Sequence, residues 1–234
     1  MSNLVNGKWQ HIRYEEVTST NDIAKHYTNH QTPIIITAKK QSSGRGRYGR
    51  NWQSLEGNLF LSQLIPNNIP VTHLVFVASL SIAEALCEIT NEDIIIKWPN
   101  DILVNRKKIS GILIEAYEDK IIIGIGVNLV SHPDLRDTIY PATDLQSLGY
   151  SVQPDDFLQI YIRYFDKNLA LCSQNFLIIR QKWLEFAKYL NSPIKVRYSD
   201  YTKEGLFKGI DEQGFLLLEQ EDTITKIAAG DVFI

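Results

Sequence analysis

Three glycines and three arginines alternate through Gly44, Arg45, Gly46, Arg47, Tyr48, Gly49 and Arg50, with Trp52 two residues on. Backbone N–H groups and guanidinium forks at that density can converge on an anion, and glycine lets the chain bend around it. An opposite unit charge about 4 Å away contributes roughly 4 kcal/mol at an effective dielectric near 20, so two or three arginines could offset the desolvation of a carboxylate and a phosphate together. The plainer reading is a mobile basic loop, or a segment that touches nucleic acid with Trp52 as a stacking platform. The loop alone leaves both open.

A second group, Lys97-Trp98-Pro99-Asn100-Asp101, ends an apolar strand pattern. Proline stiffens the turn and pushes Trp98 away from helical backbone, so Lys97, Asn100 and Asp101 project from a fixed corner that suits a reacting centre. An ordinary Pro-Asn-Asp turn beside a surface lysine reads equally well. Third, Lys108 precedes Gly111 by three residues in a strand pattern that runs on to Glu115. Glycine there marks a bulge or a close backbone approach, and a nearby lysine could hold a phosphate or carboxylate against it; a charged strand start with an edge glycine is the bland alternative. Fourth, Gly124-Ile125-Gly126-Val127-Asn128 repeats the glycine-in-strand signal and ends on a side chain that can both donate and accept toward a purine edge.

Other chemistries lack their residues. The five histidines are scattered, and His26 and His30 have no accompanying glutamate of a zinc-protease motif. Neither a GxxxxGK[ST] phosphate loop nor a GxSxG nucleophile elbow occurs.

The elements that must hold these groups follow from periodicity. Residues 19–29 read as a short helix with Ser19 as N-cap and Asp22 as the carboxylate of a capping box. Strands are expected at 34–38 and 58–65, flanking the Arg/Gly loop, and an amphipathic helix at 72–90. Strands at 94–97, 109–116 and 121–129 follow, the last two close enough for an antiparallel hairpin. Helical patterns then start after Pro154 and near Phe176, the second stopped by Pro193. Short strands at 194–198, 205–210, 215–219 and 223–228 read as a small all-β barrel. The expectation is an α+β protein: a mixed, mostly antiparallel sheet with flanking helices over residues 1–191, and an SH3-like β-barrel over 192–234.

At 234 residues, 44% hydrophobic, the chain can bury a large core, and a net charge of −3 gives no global drive toward nucleic acid or anionic membrane. Residues 1–10 lack the apolar stretch of a secretory leader, and no apolar run approaches the roughly 20 residues that span a bilayer. Cys87 and Cys172 fall in apolar helical patterns and read as two reduced core thiols, which makes the cytoplasm the expected compartment.

Taken together and in order, Ser19-Thr20-Asn21, Gln41 with residues 44–52, residues 97–101, Lys108-x-x-Gly111 with Glu115, and Gly124-x-Gly126-x-Asn128 resemble the biotin protein ligase family. The resemblance runs from about residue 15 to the C-terminus, where Lys208–Asp211 and Gly214–Glu219 look like the family's SH3-like cap. It implies a class II synthetase-like catalytic fold that uses ATP, with Mg²⁺, to join biotin to a lysine of a biotin carboxyl carrier domain, through biotinyl-5′-AMP. By position, Ser19, Thr20, Asn21 and Gln41 match residues holding the ureido end of biotin. Gly44, Arg45, Gly46 and Arg47 match the loop that closes over carboxylate and phosphate, and Arg50 and Trp52 its nucleotide side. Lys108, beside Gly111, matches the lysine bridging carboxylate and α-phosphate; Lys97 and Asn100 flank the phosphates. Asp101 matches the residue that orients or deprotonates the incoming lysine, and Asn128 an adenine contact. Tyr48 stands where the family more often has arginine.

Two rivals stay open: a lipoate- or octanoyl-transferring relative, and a nucleic-acid-binding protein using Arg45, Arg47, Arg50 and Trp52. Only eighteen residues precede Ser19, too few for the N-terminal winged helix of some family members, so a short form without direct DNA binding is expected. Homodimerisation through a sheet edge is compatible with the pattern.

Overall fold

The computed structural model describes residues 3–134 and 141–234; Met1 and Ser2, part of the stretch read as lacking a leader, lie outside it. An eight-stranded sheet runs in the order β1-β2-β3-β4-β8-β7-β6-β5. Its strands are β1 (Asn3–Val5), β2 (Trp9–Val17), β3 (Ile34–Gln41), β4 (Leu59–Pro66), β5 (Ile94–Lys97), β6 (Asp101–Val104), β7 (Lys107–Tyr117) and β8 (Lys120–Val127). Every ladder is antiparallel except β2 with β3, so the sheet is mixed and mostly antiparallel.

Period-2 alternation sorts its side chains onto two faces. On β8, Ile121, Ile123, Ile125 and Val127 enter the main core. The intervening Ile122 joins a second cluster with Ile34, Ile36, Leu64 and Ala24 beneath α1 (Thr20–Ala24). Gly124 and Gly126 continue the row of Ile122, so this second face carries the open cleft. The main face is covered by α2 (Val71–Ile89), α3 (Pro154–Gln174) and α4 (Phe176–Ala187). Pro154 and two following aspartates start α3 as proline at N1 and acid in the first turn should. The Asn175 side chain accepts from Leu177 N at 2.9 Å and caps α4.

Several expectations need correction. The N-terminal residues form β1 and β2: buried Trp9 and His11 alternate with half-exposed neighbours, which hides the strand from any search for apolar runs. Ser19 makes no side-chain cap hydrogen bond, the expected helix shortens to α1 and one 3-10 turn (Lys25–Tyr27), and Asp22 pairs with Arg45 instead of serving a capping box. Helix α4 stops at Lys188 in left-handed backbone, while Pro193 opens the next strand. Cys87 is exposed and only Cys172 is buried. By length and composition α2 could cross a bilayer, contrary to the sequence expectation; here its apolar surface is mostly spent on the core.

The C-terminal strands are β9 (Pro193–Arg197), β10 (Thr202–Ile210), β11 (Leu216–Gln220), β12 (Thr223–Ile227) and β13 (Asp231–Phe233), all antiparallel in the order β12-β11-β10-β9-β13. Among the described residues no ladder joins β12 to β13, so the sheet is open at that seam instead of a closed barrel. The three-residue β13 pairs with β9 and turns Asp231 and Phe233 toward the cleft.

Candidate active site

A cavity of about 520 Å³ lies on the second face, within the range of small-molecule sites. Of the sequence-derived site residues, Ser19, Thr20, Asn21, Gln41, Arg45, Gly46, Arg47, Arg50, Trp52, Lys97, Asn100, Asp101, Lys108, Gly111 and Asn128 all line it. Gly44 does not; it is packed behind the loop, where a Cβ would meet Trp52 O at 2.6 Å.

One end is a neutral hydrogen-bonding cluster at the start of α1. Gln41 Oε1 accepts from Thr20 N at 2.9 Å, and its amide nitrogen donates to Ser54 Oγ at 3.0 Å. The buried Ser62 hydroxyl lies 2.8 Å from Thr20 Oγ1 and 2.5 Å from Asn21 Oδ1, while Asn21 Nδ2 donates to Glu115 Oε2 at 2.6 Å. Both amides therefore have fixed orientations, as recognition of a small polar ring requires.

The middle is cationic. Strands β5 and β6 form a hairpin in which Lys97 pairs directly with Asp101, the three residues between them making the turn, with a cis Trp98–Pro99 peptide. Asn100 Nδ2 donates to Ile112 O at 2.8 Å, tying the turn to β7. A register shift between Ile102 and Leu103, opposite Ser110 and Lys108, inserts one residue into β7. That bulge brings Lys108 and Gly111, three apart, onto one face of the strand. The Asp101 carboxylate lies 2.6 Å from Lys108 Nζ and 3.0 Å from Lys97 Nζ. Burial alone would push its pKa up, but the two ammoniums outweigh it and hold the carboxyl at about 2. Two lysines thus converge on one aspartate.

The Arg/Gly loop forms a tongue over this centre. Its base is closed by an antiparallel bridge between Arg45 and Asn51 and by Trp52 N donating to Gly44 O at 2.9 Å. At the tip Tyr48 adopts φ of 56°. Arg47 donates to Asn100 Oδ1 at 3.2 Å and to Gly230 O at 3.3 Å, and Arg50 pairs with Asp231. The Trp52 ring lies against β7 and β8: a Cβ at Gly126 would fall 2.5 Å from Trp52 Cζ2, and one at Gly111 would fall 3.0 Å from Cζ3. The glycines read as admitting a ligand thus admit Trp52, and Gly124 admits Asn21.

At the far end Asn128 Nδ2 donates to Thr143 O at 3.0 Å, leaving a buried Oδ1 without a partner among the described residues. Arg197, Asp231 and Phe233 complete the lining from the C-terminal sheet. Sequence reasoning missed them because no motif surrounds them; only their positions on β9 and β13 bring them in.

Residues 14–128 match the Biotin/lipoate A/B protein ligase family, and residues 189–234 match the Biotin protein ligase C terminal domain. The chain is 34% identical over 239 residues to the bifunctional ligase/repressor BirA of Bacillus subtilis, covering 95% of this chain and 74% of that protein. It is 35% identical over 215 residues to the biotin--[acetyl-CoA-carboxylase] ligase of Paracoccus denitrificans, covering 85% and 89%. The biotin protein ligase of Aquifex aeolicus, solved with biotin and ATP, superimposes with a TM-score of 0.86 at 31% identity over 95% of this chain and 97% of that one. That of Leishmania major, solved with biotinyl-5-AMP, gives 0.70 at 27%, covering 94% and 98%. Shared sequence across nearly the whole chain and a shared fold lead to one assignment: this chain belongs to the biotin protein ligases of the biotin/lipoate A/B protein ligase family.

Proposed function

We propose that this enzyme joins biotin to a lysine of a biotin carboxyl carrier domain, using ATP and passing through biotinyl-5′-AMP. The observation that carries the reading is the convergence of Arg47, Lys108 and Asn128 on one cavity whose opposite end is the fixed hydrogen-bonding cluster of Thr20, Asn21 and Gln41. In this reading Ser19, Thr20, Asn21 and Gln41 take the ureido ring. The unpartnered Oδ1 of Asn128 accepts from the exocyclic amine of adenine, beside Trp52. Residues 1–191 form the catalytic part and residues 192–234 its cap.

The first step brings two anions together. A biotin carboxylate oxygen attacks the α-phosphorus, the bond to the bridging oxygen of the β-phosphate breaks, and pyrophosphate leaves with the electron pair. Lys108, Lys97 and Arg47 supply the positive charge this requires as charge builds up in the transition state. Mg²⁺ fits as an ion carried in by the nucleotide, adding charge neutralisation at the phosphates. In the second step a neutral lysine nitrogen attacks the acyl carbon, the carbon–oxygen bond to phosphate breaks, AMP departs and the nitrogen loses its proton. A carboxyl held at about 2 is a weak base, so Asp101 acts chiefly as an acceptor that orients the amine. The tongue, with Gly46 and Gly49 near its tip, excludes water from the mixed anhydride.

The test is pyrophosphate release with biotin and ATP, run on the wild type, Lys108→Ala and Arg47→Gly, with lipoate in place of biotin as a parallel arm. Biotin-dependent release that falls in both variants is expected. Biotin-independent release, full activity in both variants, or a preference for lipoate would overturn the reading.

A further inference from the structure

The three arginines of the tongue occupy different electrostatic settings. Arg45 makes a two-pronged contact with Asp22, its Nη2 donating to Oδ1 at 2.8 Å and its Nη1 to Oδ2 at 2.5 Å. Its Nη2 also lies 3.7 Å from Glu115 Oε2. Lys25 completes the group, 3.0 Å from Asp22 and 4.0 Å from Glu115. Two carboxylates therefore face two cations, and this group offers an arriving anion no net positive charge. Arg47 and Arg50, by contrast, make their one direct carboxylate contact through Arg50 with Asp231, Asp101 acts on Arg50 only through space, and Arg47 meets neutral acceptors.

Position points the same way. Arg45 sits at the base of the tongue, where the bridge to Asn51 and the Trp52–Gly44 hydrogen bond close the stem. Its two carboxylates belong to different rigid elements, Asp22 to α1 and Glu115 to β7. Glu115 is further fixed by accepting from Asn21. A planar fork held by two anchored carboxylates is a joint of low mobility, and motion in such a tongue concentrates beyond it.

On the functional reading above, we infer that Asp22, backed by Glu115, is the positioning residue that anchors the lid, making Arg45 its fixed hinge and not a ligand of the reacting anions. Residues 46–51 are then the moving part, and Arg47 and Arg50 exchange their resting partners for phosphate and carboxylate when it closes.

Three variants test this: Asp22→Asn, Arg45→Gln and the double. Trypsin cleavage reads the joint without catalysis. In the wild type, cuts after Arg47 and Arg50 precede the cut after Arg45, and Asp22→Asn accelerates the last by about tenfold, the scale of one lost charge-assisted contact. Separately, the fraction of biotinyl adenylate released to solvent rises about tenfold in each single variant and no further in the double, because either substitution already breaks the Asp22–Arg45 contact that dominates the joint. The KM for ATP changes less than about threefold, short of what loss of a phosphate contact produces. If Arg45→Gln slows adenylate formation far more than Asp22→Asn does, or if Asp22→Asn leaves both cleavage order and leakage unchanged, the hinge is overturned. A wild type that makes no biotinyl adenylate would sink the functional reading instead, and the cleavage pattern would still decide whether Asp22 holds the tongue.

Discussion

The Asp101 carboxylate is held between two ammonium groups, 2.6 Å from Lys108 and 3.0 Å from Lys97, at the end of a hairpin only three residues wide. The triad is electrostatically asymmetric, and removing its one anion leaves two like charges facing each other. Asp101→Asn is therefore expected to keep adenylate formation within about threefold, since the cations remain, while amide transfer falls roughly 100-fold through loss of amine positioning. Single-turnover assays that separate the two steps check it. The folded-state pKa near 2 is depressed, so the pairing is complete above the unfolded value of about 4 and is lost only as pH falls toward 2. Any acid limb of the rate profile above pH 5 should accordingly be the same in wild type and variant.

Two glycines on β8 separate the two ends of the cleft. Strand pairing on both sides fixes the β8 backbone, so an added Cβ must move its neighbour. Gly126→Ala meets the Trp52 ring and is expected to raise the KM for ATP about tenfold, with a shift in tryptophan emission, at an overpacking cost of about 1–3 kcal/mol. Gly124→Ala puts a methyl 2.9 Å from Asn21 Cγ and should raise the KM for biotin instead. Equal effects of both variants on both substrates would refute the division.

These glycines also show what a sequence can and cannot convey. Their strand context signals a close approach, and period-2 spacing puts Gly124, Gly126 and Asn128 in one row, but nothing local says that Asn21 and Trp52 are what approaches. Lys108 and Gly111, three apart, would face opposite ways in a regular strand; a bulge that depends on pairing with β6 reunites them. Strand β2 went unread because its buried positions include His11, and its partner β3 lies beyond α1. Arg197, Asp231 and Phe233 reach the cleft only through tertiary packing, and the outward turn of Asp22 to Arg45 likewise contradicts its local role as a helix cap.

His11 should make stability depend on mild acid. It is buried on β2, with Nε2 2.8 Å from Thr37 Oγ1. Burial first, then the nearby Arg13, lower its pKa from 6.5 to about 4, against a smaller upward pull from Asp155. The unfolded chain therefore binds a proton between pH 6.5 and 4 that the folded chain refuses. Stability contributed by His11 is full above pH 6.5, declines as pH falls through that window by up to about 3 kcal/mol, and changes no further below 4. Urea midpoints for wild type and His11→Gln should diverge in slope across that window; parallel curves would remove His11 as the cause.

Trp98 links the catalytic corner to the C-terminal region and yields the sharpest separation of stability from activity. It is buried, its backbone N–H donates to the Tyr189 hydroxyl at 2.9 Å and its indole N–H to Gly214 O at 3.3 Å; beside it, Lys97 Nζ donates to Val232 O at 3.3 Å. Trp98→Ala removes the largest side chain holding the turn and is expected to cost about 3–5 kcal/mol. Trp98→Phe keeps most of the volume and loses one hydrogen bond, a cost of about 1 kcal/mol with the Gly214 carbonyl left to find another donor. Because Lys97, Asn100 and Asp101 are placed by this turn, displacement of the corner by even 1 Å should slow amide transfer on the order of 100-fold in Trp98→Ala, at temperatures where the variant is still folded. Trp98→Phe should retain most of that rate. Were Trp98→Ala folded and fully active, the corner would hold its geometry through the β5–β6 pairing alone, and the contact with the C-terminal sheet would have no part in positioning Asp101.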